Sequence, residues 1–343
     1  MISSSLDINP TTQLRQPWLS NMTNKILVTG GEGFIGTYVC KTLIDLYSYE
    51  NVLSIDCRST YLDLIPQPEL NYLISERKQY CELKSINCDI NADRIKRIIS
   101  DFNPTHIIHL AAFPRAKVVD KNPQYASYTL ISGLLNVLEQ CKLPSVEHFI
   151  YISSSMVYGD FDHPIKETEA CNPKGIYGIL KLTGEQLVKD WAQKNKKQYT
   201  ILRPSAVYGP MDVNDRVISK FFEAAFNDQE LNVHGAEQLL DFTYVEDLAT
   251  GICSTLENDW SFGHTFNMSR GSSRTLLEAA ECIIKLVGTG KINVQEKHPM
   301  YPSRDSLDCS AANRWLNFNP TTNIEKGFDH YYEWLIKRPV LRN

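Results

Sequence analysis

Between residues 25 and 205, short apolar runs alternate with longer stretches in which apolar residues recur every three or four positions. The short runs are apolar on both faces, which is typical of strands in a parallel sheet that is covered on both sides. The longer stretches have the period of amphipathic helices. The pattern predicts strands at 25–29, 51–56, 106–112, 147–155 and 198–205, and helices at 34–46, 123–141 and 176–195.

Strands that alternate with helices predict an α/β fold built on a doubly wound parallel sheet. After residue 205 the alternation loosens and turns become frequent, which indicates a smaller C-terminal lobe that binds the substrate. This lobe is predicted to be discontinuous, because residues 241–260 return to the pattern of the first domain. The predicted division is a first domain at 24–204 with a return segment at about 241–260, and a lobe made of 205–240 and 261–343.

Composition and charge exclude several classes of protein. The formal net charge is −5, so no basic surface for nucleic acid is expected. No apolar run reaches the roughly 20 residues that span a bilayer, so no membrane segment is expected. Residues 1–23 are polar and patternless, which predicts a disordered N-terminal extension rather than a signal peptide.

The cysteines are scattered through the chain and odd in number, and they form no Cys-x-x-Cys pair. This distribution favours reduced thiols in a cytoplasmic protein over a disulfide framework or a zinc site, so no metal is expected. They are Cys40, Cys57, Cys81, Cys88, Cys141, Cys171, Cys253, Cys282 and Cys309.

A glycine-rich segment stands between the first predicted strand and the first predicted helix. Gly30, Gly33 and Gly36 recur at every third position. Such glycines allow a tight turn, a close approach of the backbone to a pyrophosphate, and packing of the helix on the strand. The backbone N–H groups at the helix start, around Phe34 and Ile35, would face the phosphates. The segment predicts a dinucleotide site and a Rossmann-type sheet.

Asp56 ends the second predicted strand, 20 residues after Gly36. An acidic residue at this position binds the hydroxyls of the adenosine ribose and repels a 2′-phosphate. Asp56 therefore favours NAD over NADP as the cofactor, whereas the nearby Arg58 weakens that preference.

Tyr177 and Lys181 are four residues apart within a predicted helix, so both side chains project from one face. An ammonium group beside a phenol favours the phenolate and lowers the phenol pKa from about 10. The pair predicts an acid/base catalyst that exchanges a proton with a substrate hydroxyl. Tyr80 and Lys84 have the same spacing, but their surroundings predict a strand, in which the two side chains would lie about 13 Å apart.

Several motifs occur in a fixed order and together resemble the extended short-chain dehydrogenase/reductases, in particular the NAD-dependent nucleotide-sugar epimerase/dehydratase family of the UDP-glucose 4-epimerase type. The resemblance covers residues 25 to about 335. It rests on the glycine segment, HLAA at 109–112, SSSMVYG at 153–159, YGILK at 177–181, RPSAVYGP at 203–210 and DFTYVEDLA at 241–249.

The resemblance implies a role for individual residues. Tyr177 is the expected general acid/base, and Lys181 is expected to hold the nicotinamide ribose. Ser154 is the expected catalytic serine that hydrogen-bonds the reacting sugar oxygen. Asp89 and Ile90 match the pair that contacts adenine, and the backbone of Leu110, Ala111 and Ala112 is expected alongside the NAD.

One departure from the family pattern argues against two of the reactions that members of the family catalyse, dehydration and decarboxylation. Dehydratases and decarboxylating relatives carry a glutamate where this chain has Met156, and a thioether cannot transfer a proton. Two reactions remain open, namely 4-epimerisation of a nucleotide sugar through a transient ketone and NAD(P)H-dependent reduction of a keto sugar. Asp56 favours the epimerase, because that enzyme regenerates a bound NAD. A protein that binds NAD without catalysis is a third, less favoured interpretation.

The substrate contacts also depart from the family pattern. Many relatives grip the nucleotide diphosphate with an arginine where this chain has Leu240, and the asparagine often found before Val-Tyr-Gly-Pro is Ala206. Arg216 and Arg304 are the expected substrate-binding replacements, with Arg274 a further candidate, since a guanidinium group suits phosphate. The resemblance also implies a homodimer, in which helices 123–141 and 176–195 form the interface.

Overall fold

The structure, a computed structural model, describes residues 24–57, 67–113, 116–212, 216–297 and 302–337. The N-terminal extension predicted to be disordered at 1–23, and Arg58, both lie outside these residues. The predicted α/β class is confirmed by a central parallel sheet that carries helices on both of its faces.

Seven of the described strands form this sheet in the order β11-β6-β5-β4-β1-β2-β3, and every neighbouring pair is parallel. Their register is fixed by continuous pairing, for example of Ile26 with both Val52 and His106. The strands are β1 (Ile26–Thr29), β2 (Val52–Asp56), β3 (Ser85–Asn87), β4 (His106–His109), β5 (His148–Ile152), β6 (Gln198–Pro204) and, much later in the chain, β11 (His264–Met268).

The remaining strands are short and pair outside the main sheet. They are β7 (Val207–Tyr208) with β10 (Thr243–Tyr244), β9 (Leu239–Leu240) with β12 (Arg274–Thr275), and β8 (Glu230–His234) with β13 (Lys291–Gln295).

The helices cover both faces of the sheet and build the C-terminal lobe. They are α1 (Phe34–Tyr47), α2 (Gln67–Tyr80), α3 (Arg94–Phe102), α4 (Ala116–Lys121), α5 (Pro123–Ser127), α6 (Leu134–Gln140), α7 (Gly175–Asn195), α8 (Val217–Phe226), α9 (Val245–Cys253), α10 (Leu276–Val287), α11 (Ser310–Leu316) and α12 (Ile324–Ile336). A π-helical turn, Tyr128–Gly133, joins α5 to α6, so the helical stretch predicted at 123–141 is continuous.

The three largest buried clusters carry most of the packing among the described residues. One lies between the sheet and helices α1, α9 and α11, and a second lies on the opposite face against α3, α6 and α7. The third is the core of the C-terminal lobe, where Phe222, Phe328 and Tyr331 pack around one another.

The chain crosses between the two halves of the sheet at one point. β1 pairs with β2 on one side and with β4 on the other, so the connections run outward in opposite directions from this strand. In a doubly wound sheet, the carboxyl ends of the strands diverge at such a point and leave a crevice for a ligand.

The return of the chain to the first domain is longer than predicted. The predicted return segment ends at about residue 260, but β11 pairs with β6 at the edge of the main sheet. Leu316 and Phe318 also pack in the cluster formed by α1 and α9. The sequence did not predict this because β11 lies at the edge of the sheet, where its first two residues are not buried, whereas β1 and β4 are buried throughout.

The segment that contains Tyr80 was predicted to be a strand and this was wrong. Residues up to Tyr80 form α2, and Lys84 lies beyond its end. Because α2 is mostly polar and half of it is exposed, it lacks the apolar stripe that marked the other helices. The Tyr80 hydroxyl lies 3.5 Å from a carboxylate oxygen of Glu246, on α9.

Candidate active site

A cleft opens where the carboxyl ends of β1, β2, β4 and β5 diverge, and it brings together nearly all of the residues predicted for the site. Among the predicted residues that the structure describes, Arg274 and Arg304 lie outside its lining. The cleft is lined by Gly30, Gly33, Phe34, Ile35, Gly36, Asp56, Asp89, Ile90, Leu110, Ala111, Ala112, Ser154, Tyr177, Lys181 and Arg216, together with Arg77, Asp212 and others.

The glycine turn has no room for side chains. Gly30 has φ of +79°, and a Cβ atom added there would lie 2.7 Å from the backbone nitrogen of Ala111. A Cβ atom on Gly36 would lie 2.1 Å from the carbonyl oxygen of Gly30. Helix α1 therefore begins directly on the turn, with its first N–H groups at the cleft, which is the arrangement that a pyrophosphate requires.

The strand ends around the turn are fixed by buried polar contacts. The Thr29 hydroxyl lies 2.9 Å from Nδ1 of His109 and accepts a hydrogen bond from the backbone N–H of Ala111. Burial lowers the pKa of His109 to about 3, so the imidazole is neutral at physiological pH. The backbone of residues 110–112 is thereby held against the cleft, where the flat face of a cofactor would lie.

Asp56 lies at the carboxyl end of β2, as predicted, and lines the cleft. Its Oδ2 atom accepts a hydrogen bond of 2.9 Å from the backbone N–H of Glu32 in the glycine turn. A carboxylate held in this position suits the hydroxyls of an adenosine ribose. The glycine turn and Asp56 therefore fit a dinucleotide cofactor without a 2′-phosphate.

Helix α7 contributes Tyr177 and Lys181 to the lining of the cleft. The helix begins at Gly175, whose φ of +76° turns the chain into it. Lys181 is buried, and its Nζ atom donates a hydrogen bond of 2.7 Å to the carbonyl oxygen of Ile152. The same atom lies 6.0 Å from the ring centre of Tyr177.

The pKa of Tyr177 differs from the sequence prediction. Burial raises it above its usual value, whereas Arg216 and a hydrogen bond with Ser154 lower it. The prediction attributed a lowered pKa to Lys181, but that ammonium is bound to the Ile152 carbonyl instead. Burial also lowers the pKa of Lys181, to about 8, although Glu185 opposes this shift.

The three consecutive serines after β5 have different surroundings. Ser153 is buried and donates a hydrogen bond of 2.6 Å to Glu185. Ser154 lines the cleft, lies within hydrogen-bonding reach of Tyr177, and accepts a hydrogen bond from the backbone N–H of Met156. Ser155 is buried against Arg304. Ser153 and Ser154 both line the cleft, and of the two Ser154 is the one that lies within hydrogen-bonding reach of Tyr177.

The chain was compared with models of known protein families, and one of them matches. The model of the NAD dependent epimerase/dehydratase family matches residues 26–269. The chain belongs to this family. The predicted membership, Rossmann-type fold and NAD dependence are therefore confirmed.

Individual proteins of this family resemble the chain over most of its length. An uncharacterised UDP-glucose epimerase, YtcB, of Bacillus subtilis is 29% identical over 317 residues, covering 91% of this chain and 98% of that protein. The solved UDP-glucuronic acid 4-epimerase of Bacillus cereus, in complex with UDP-glucuronic acid and NAD, is 27% identical with a TM-score of 0.83 and covers 91% of this chain and 99% of that one. The UDP-glucose 4-epimerase of Thermotoga maritima is 26% identical with a TM-score of 0.81, at the same coverage.

A buried ionic network around α7 was not predicted from the sequence. Arg203 on β6 forms two hydrogen bonds to Glu185 on α7, at 2.9 and 2.6 Å. It also donates to the hydroxyl of Tyr158, which in turn donates to Asn267 on β11. The network ties α7 to β6 and β11 of this epimerase-family fold. Glu185 follows Lys181 by one helical turn, and that spacing is the sequence signal that was overlooked.

Arg77, on α2, is a second residue that the sequence did not suggest. Its guanidinium is buried, lines the cleft, and donates to the carbonyl oxygens of Glu32 in the glycine turn (3.2 Å) and Met211 (2.8 Å). The Tyr38 hydroxyl similarly donates to the carbonyl oxygen of Pro210. These bonds hold residues 209–212 at the edge of the cleft, which Arg77 and Asp212 line. Met211 adopts a left-handed conformation there, with φ of +63°.

The three arginines predicted to bind the substrate have separate environments. Arg216 lines the cleft, and its Nε atom lies 3.0 Å from a carboxylate oxygen of Asp212. Arg274 lies outside the cleft and forms ion pairs with Glu278 and Glu325, whose carboxylate oxygens lie 3.2 and 3.0 Å from its guanidinium nitrogens. The structure therefore does not bring it to the site at which it was predicted to bind the diphosphate. Arg304 contacts the serine turn rather than the position expected for a diphosphate.

The described part of the chain contains no cluster of three metal-binding side chains. The nine cysteines all lie within the described ranges and are all free thiols. Among the described residues, no helix is long and apolar enough to cross a membrane.

Proposed function

We propose that the protein is an NAD-dependent UDP-sugar 4-epimerase. The observation that supports this most directly is the placement of Tyr177, Ser154 and Lys181 around one end of the same cleft that carries the glycine turn. The proposal agrees with the activities named for the Bacillus cereus and Thermotoga maritima structures. The acid/base, serine and cofactor-binding roles of the individual residues are part of this proposal.

Tyr177 accepts the proton of the sugar C4 hydroxyl, and Ser154 holds that oxygen by a hydrogen bond. Bound NAD⁺ accepts the hydride from C4 and later returns it to the opposite face of the resulting 4-keto sugar. Tyr177 then gives its proton back to the oxygen, so neither protons nor electrons are consumed. Lys181 holds the ribose of the cofactor, and Asp89 and Ile90 lie at the adenine end.

The side chains at the cleft restrict the competing reactions. Met156 follows Ser154 by two residues and has no proton to transfer, so this position cannot serve a dehydration. Asp56 favours a cofactor without a 2′-phosphate, which disfavours a reductase that draws on NADPH. Arg216 lines the cleft and is proposed to bind the nucleotide diphosphate.

The protein is further proposed to form a homodimer in the cytoplasm. Leu135 on α6, Tyr128 in the π-helical turn and Ile179 on α7 are exposed by 47%, 48% and 49%. All three belong to the two helical stretches that the resemblance assigns to the dimer interface, and they form the face proposed to pair. Pairing of this face with that of a second copy would bury these side chains. Light scattering at micromolar concentration should give twice the chain mass of 39.1 kDa.

The activity is tested by incubating the purified protein with UDP-glucose, UDP-galactose and UDP-glucuronate without added reductant. Nuclear magnetic resonance should show the C4 epimer of at least one substrate at equilibrium. A requirement for stoichiometric NADH or NADPH would instead establish a keto-sugar reductase. Bound NAD without conversion of any nucleotide sugar would favour the non-catalytic interpretation.

A further inference from the structure

Arg304 is a cation that has no anionic partner among the described residues. Its Nη1 atom lies 3.2 Å from the hydroxyl oxygen of Ser155 and 3.2 Å from the sulfur of Met156. Its Nε atom is enclosed and has no acceptor. Burial lowers the pKa of Arg304 to about 10, and no carboxylate opposes this shift.

The neighbouring arginines are different in this respect. Arg203 is paired with Glu185, and Arg216 is paired with Asp212. An enclosed guanidinium that has only a hydroxyl and a thioether beside it is poorly compensated, because buried charges are normally paired. The missing anion must come from outside the described residues, and a bound ligand can provide it.

The backbone around Arg304 is held firmly in place. The N–H of Ser303 donates to Asp160, and the carbonyl oxygen of Ser303 accepts from the N–H of Phe161, both at 2.9 Å. On the other side, Asp305 accepts a hydrogen bond of 2.7 Å from Ser273. The side chain is therefore presented from a fixed segment, which is what selective binding of a ligand group requires.

The location of Arg304 indicates which part of a substrate it meets. Ser155 and Met156 directly follow Ser154, the residue proposed to hold the oxygen on the reacting carbon. Arg304 lies just outside the lining of the cleft, against the two residues that follow Ser154, so its guanidinium is placed at the C4 end of the proposed sugar site. The diphosphate must lie farther away, because the nucleotide is attached at C1, on the far side of the ring.

From this placement we propose that Arg304 binds a carboxylate on the ring carbon next to C4, so that the preferred substrate is a UDP-hexuronic acid. This inference rests on the proposed 4-epimerase function and specifies its substrate class. The planar guanidinium matches a carboxylate by paired hydrogen bonds, which a neutral hydroxymethyl group cannot form.

The test compares UDP-glucuronate with UDP-glucose, which differ only in a carboxylate or a hydroxymethyl group at C6. The wild-type protein should show the higher kcat/KM for UDP-glucuronate. Arg304→Met should lower that value by roughly 10- to 100-fold, since hydrogen bonds to a charged group have this strength, and should lower the value for UDP-glucose less. Arg304→Lys should retain part of the preference. Arg314→Met, which removes an exposed arginine from α11, is the matched control and should behave as wild type.

Calorimetric titration with UDP alone separates a sugar contact from a diphosphate contact. The dissociation constant of UDP should be the same for wild type and Arg304→Met. Weaker binding of UDP, or an equal loss for both sugars, would overturn the assignment. If neither sugar is epimerised, the proposed reaction fails, and titration with the two nucleotide sugars still tests Arg304. Wild type should then bind UDP-glucuronate more tightly, and equal binding of the two would refute the carboxylate site even if Arg304→Met does not fold.

Discussion

The Nζ atom of Lys181 donates its 2.7 Å hydrogen bond to the carbonyl oxygen of Ile152, the last residue of β5. This bond joins α7 to the strand from which the serine turn begins. It thereby holds Tyr177, the proposed acid/base group on α7, close to Ser154, which follows β5.

Replacement of Tyr177 by phenylalanine tests the acid/base assignment. Tyr177→Phe keeps the ring but removes the proton carrier, so kcat should fall by at least about 10²-fold. The NAD content of the purified protein should remain near that of the wild type. Tyr80→Phe is the control, because Tyr80 lies at the end of α2 and contacts Glu246 instead. Wild-type turnover in Tyr177→Phe would eliminate this residue as the catalyst.

The neighbouring serines test the register of the serine turn. Ser154→Ala should lower kcat, although less than Tyr177→Phe does, because it removes a hydrogen bond but no proton carrier. Ser155→Ala should have a smaller effect on turnover, because Ser155 is buried and contacts Arg304 rather than the cleft. Steady-state kinetics of both variants would reveal an error of one residue if Ser155→Ala proved the more damaging.

Replacement of Glu185 should lower the free energy of unfolding and change the protonation of Lys181. Glu185→Gln leaves Arg203 buried without its anion, so the free energy of unfolding should fall by about 3–5 kcal/mol in urea titrations. Since Glu185 raises the pKa of Lys181, the variant should also hold more of this lysine in its neutral form near pH 7.

Asp190→Asn is the control for Glu185→Gln, because it removes an exposed ion pair with Lys194 on the same helix. Such pairs contribute at most about 1 kcal/mol. A comparable loss of stability in both variants would show that the buried network has no special role.

The pH dependence of turnover should report on Arg216. Burial raises the pKa of Tyr177 and Arg216 lowers it. Proton abstraction requires the phenolate, so kcat should increase as the pH rises through this pKa. Arg216→Met removes one of the lowering effects, and the rising limb of the profile should move to higher pH. A shift to lower pH would contradict the direction inferred from the structure.

The preference for NAD should depend on Asp56. Asp56→Asn removes the charge that repels a 2′-phosphate, so the ratio of NAD to NADP affinity should decrease. Fluorescence titration of protein freed of cofactor measures both affinities. Equal or tighter binding of NADP by the wild type would argue for a reductase instead of an epimerase.

Local patterns were sufficient to predict the cofactor side of the cleft. The glycine turn and Asp56 are close in sequence to the strands that position them, and Tyr177 and Lys181 belong to one helix. The partners of the buried arginines could not be predicted in the same way. Arg203 and Glu185 meet only because β6 and α7 pack together, and Arg304 reaches Ser155 across 149 positions of the chain.

The strand at the edge of the sheet, β11, could not be assigned from local patterns either. The run that forms β11 has five residues, of which three are buried, so its pattern resembles that of the short strands in the C-terminal lobe. Its membership of the main sheet depends on pairing with β6, a long-range contact that no local period contains.

The segment at 209–212 has a consequence for the lifetime of the bound cofactor. Tyr38 and Arg77 hold this segment at the edge of the cleft by hydrogen bonds to the carbonyl oxygens of Pro210 and Met211. Because Arg77 and Asp212 line the cleft, these bonds keep its wall fixed there, and a bound dinucleotide should dissociate more slowly while they hold. The enzyme would then work with a captive NAD and would be insensitive to the NADH/NAD⁺ ratio of the surrounding cell.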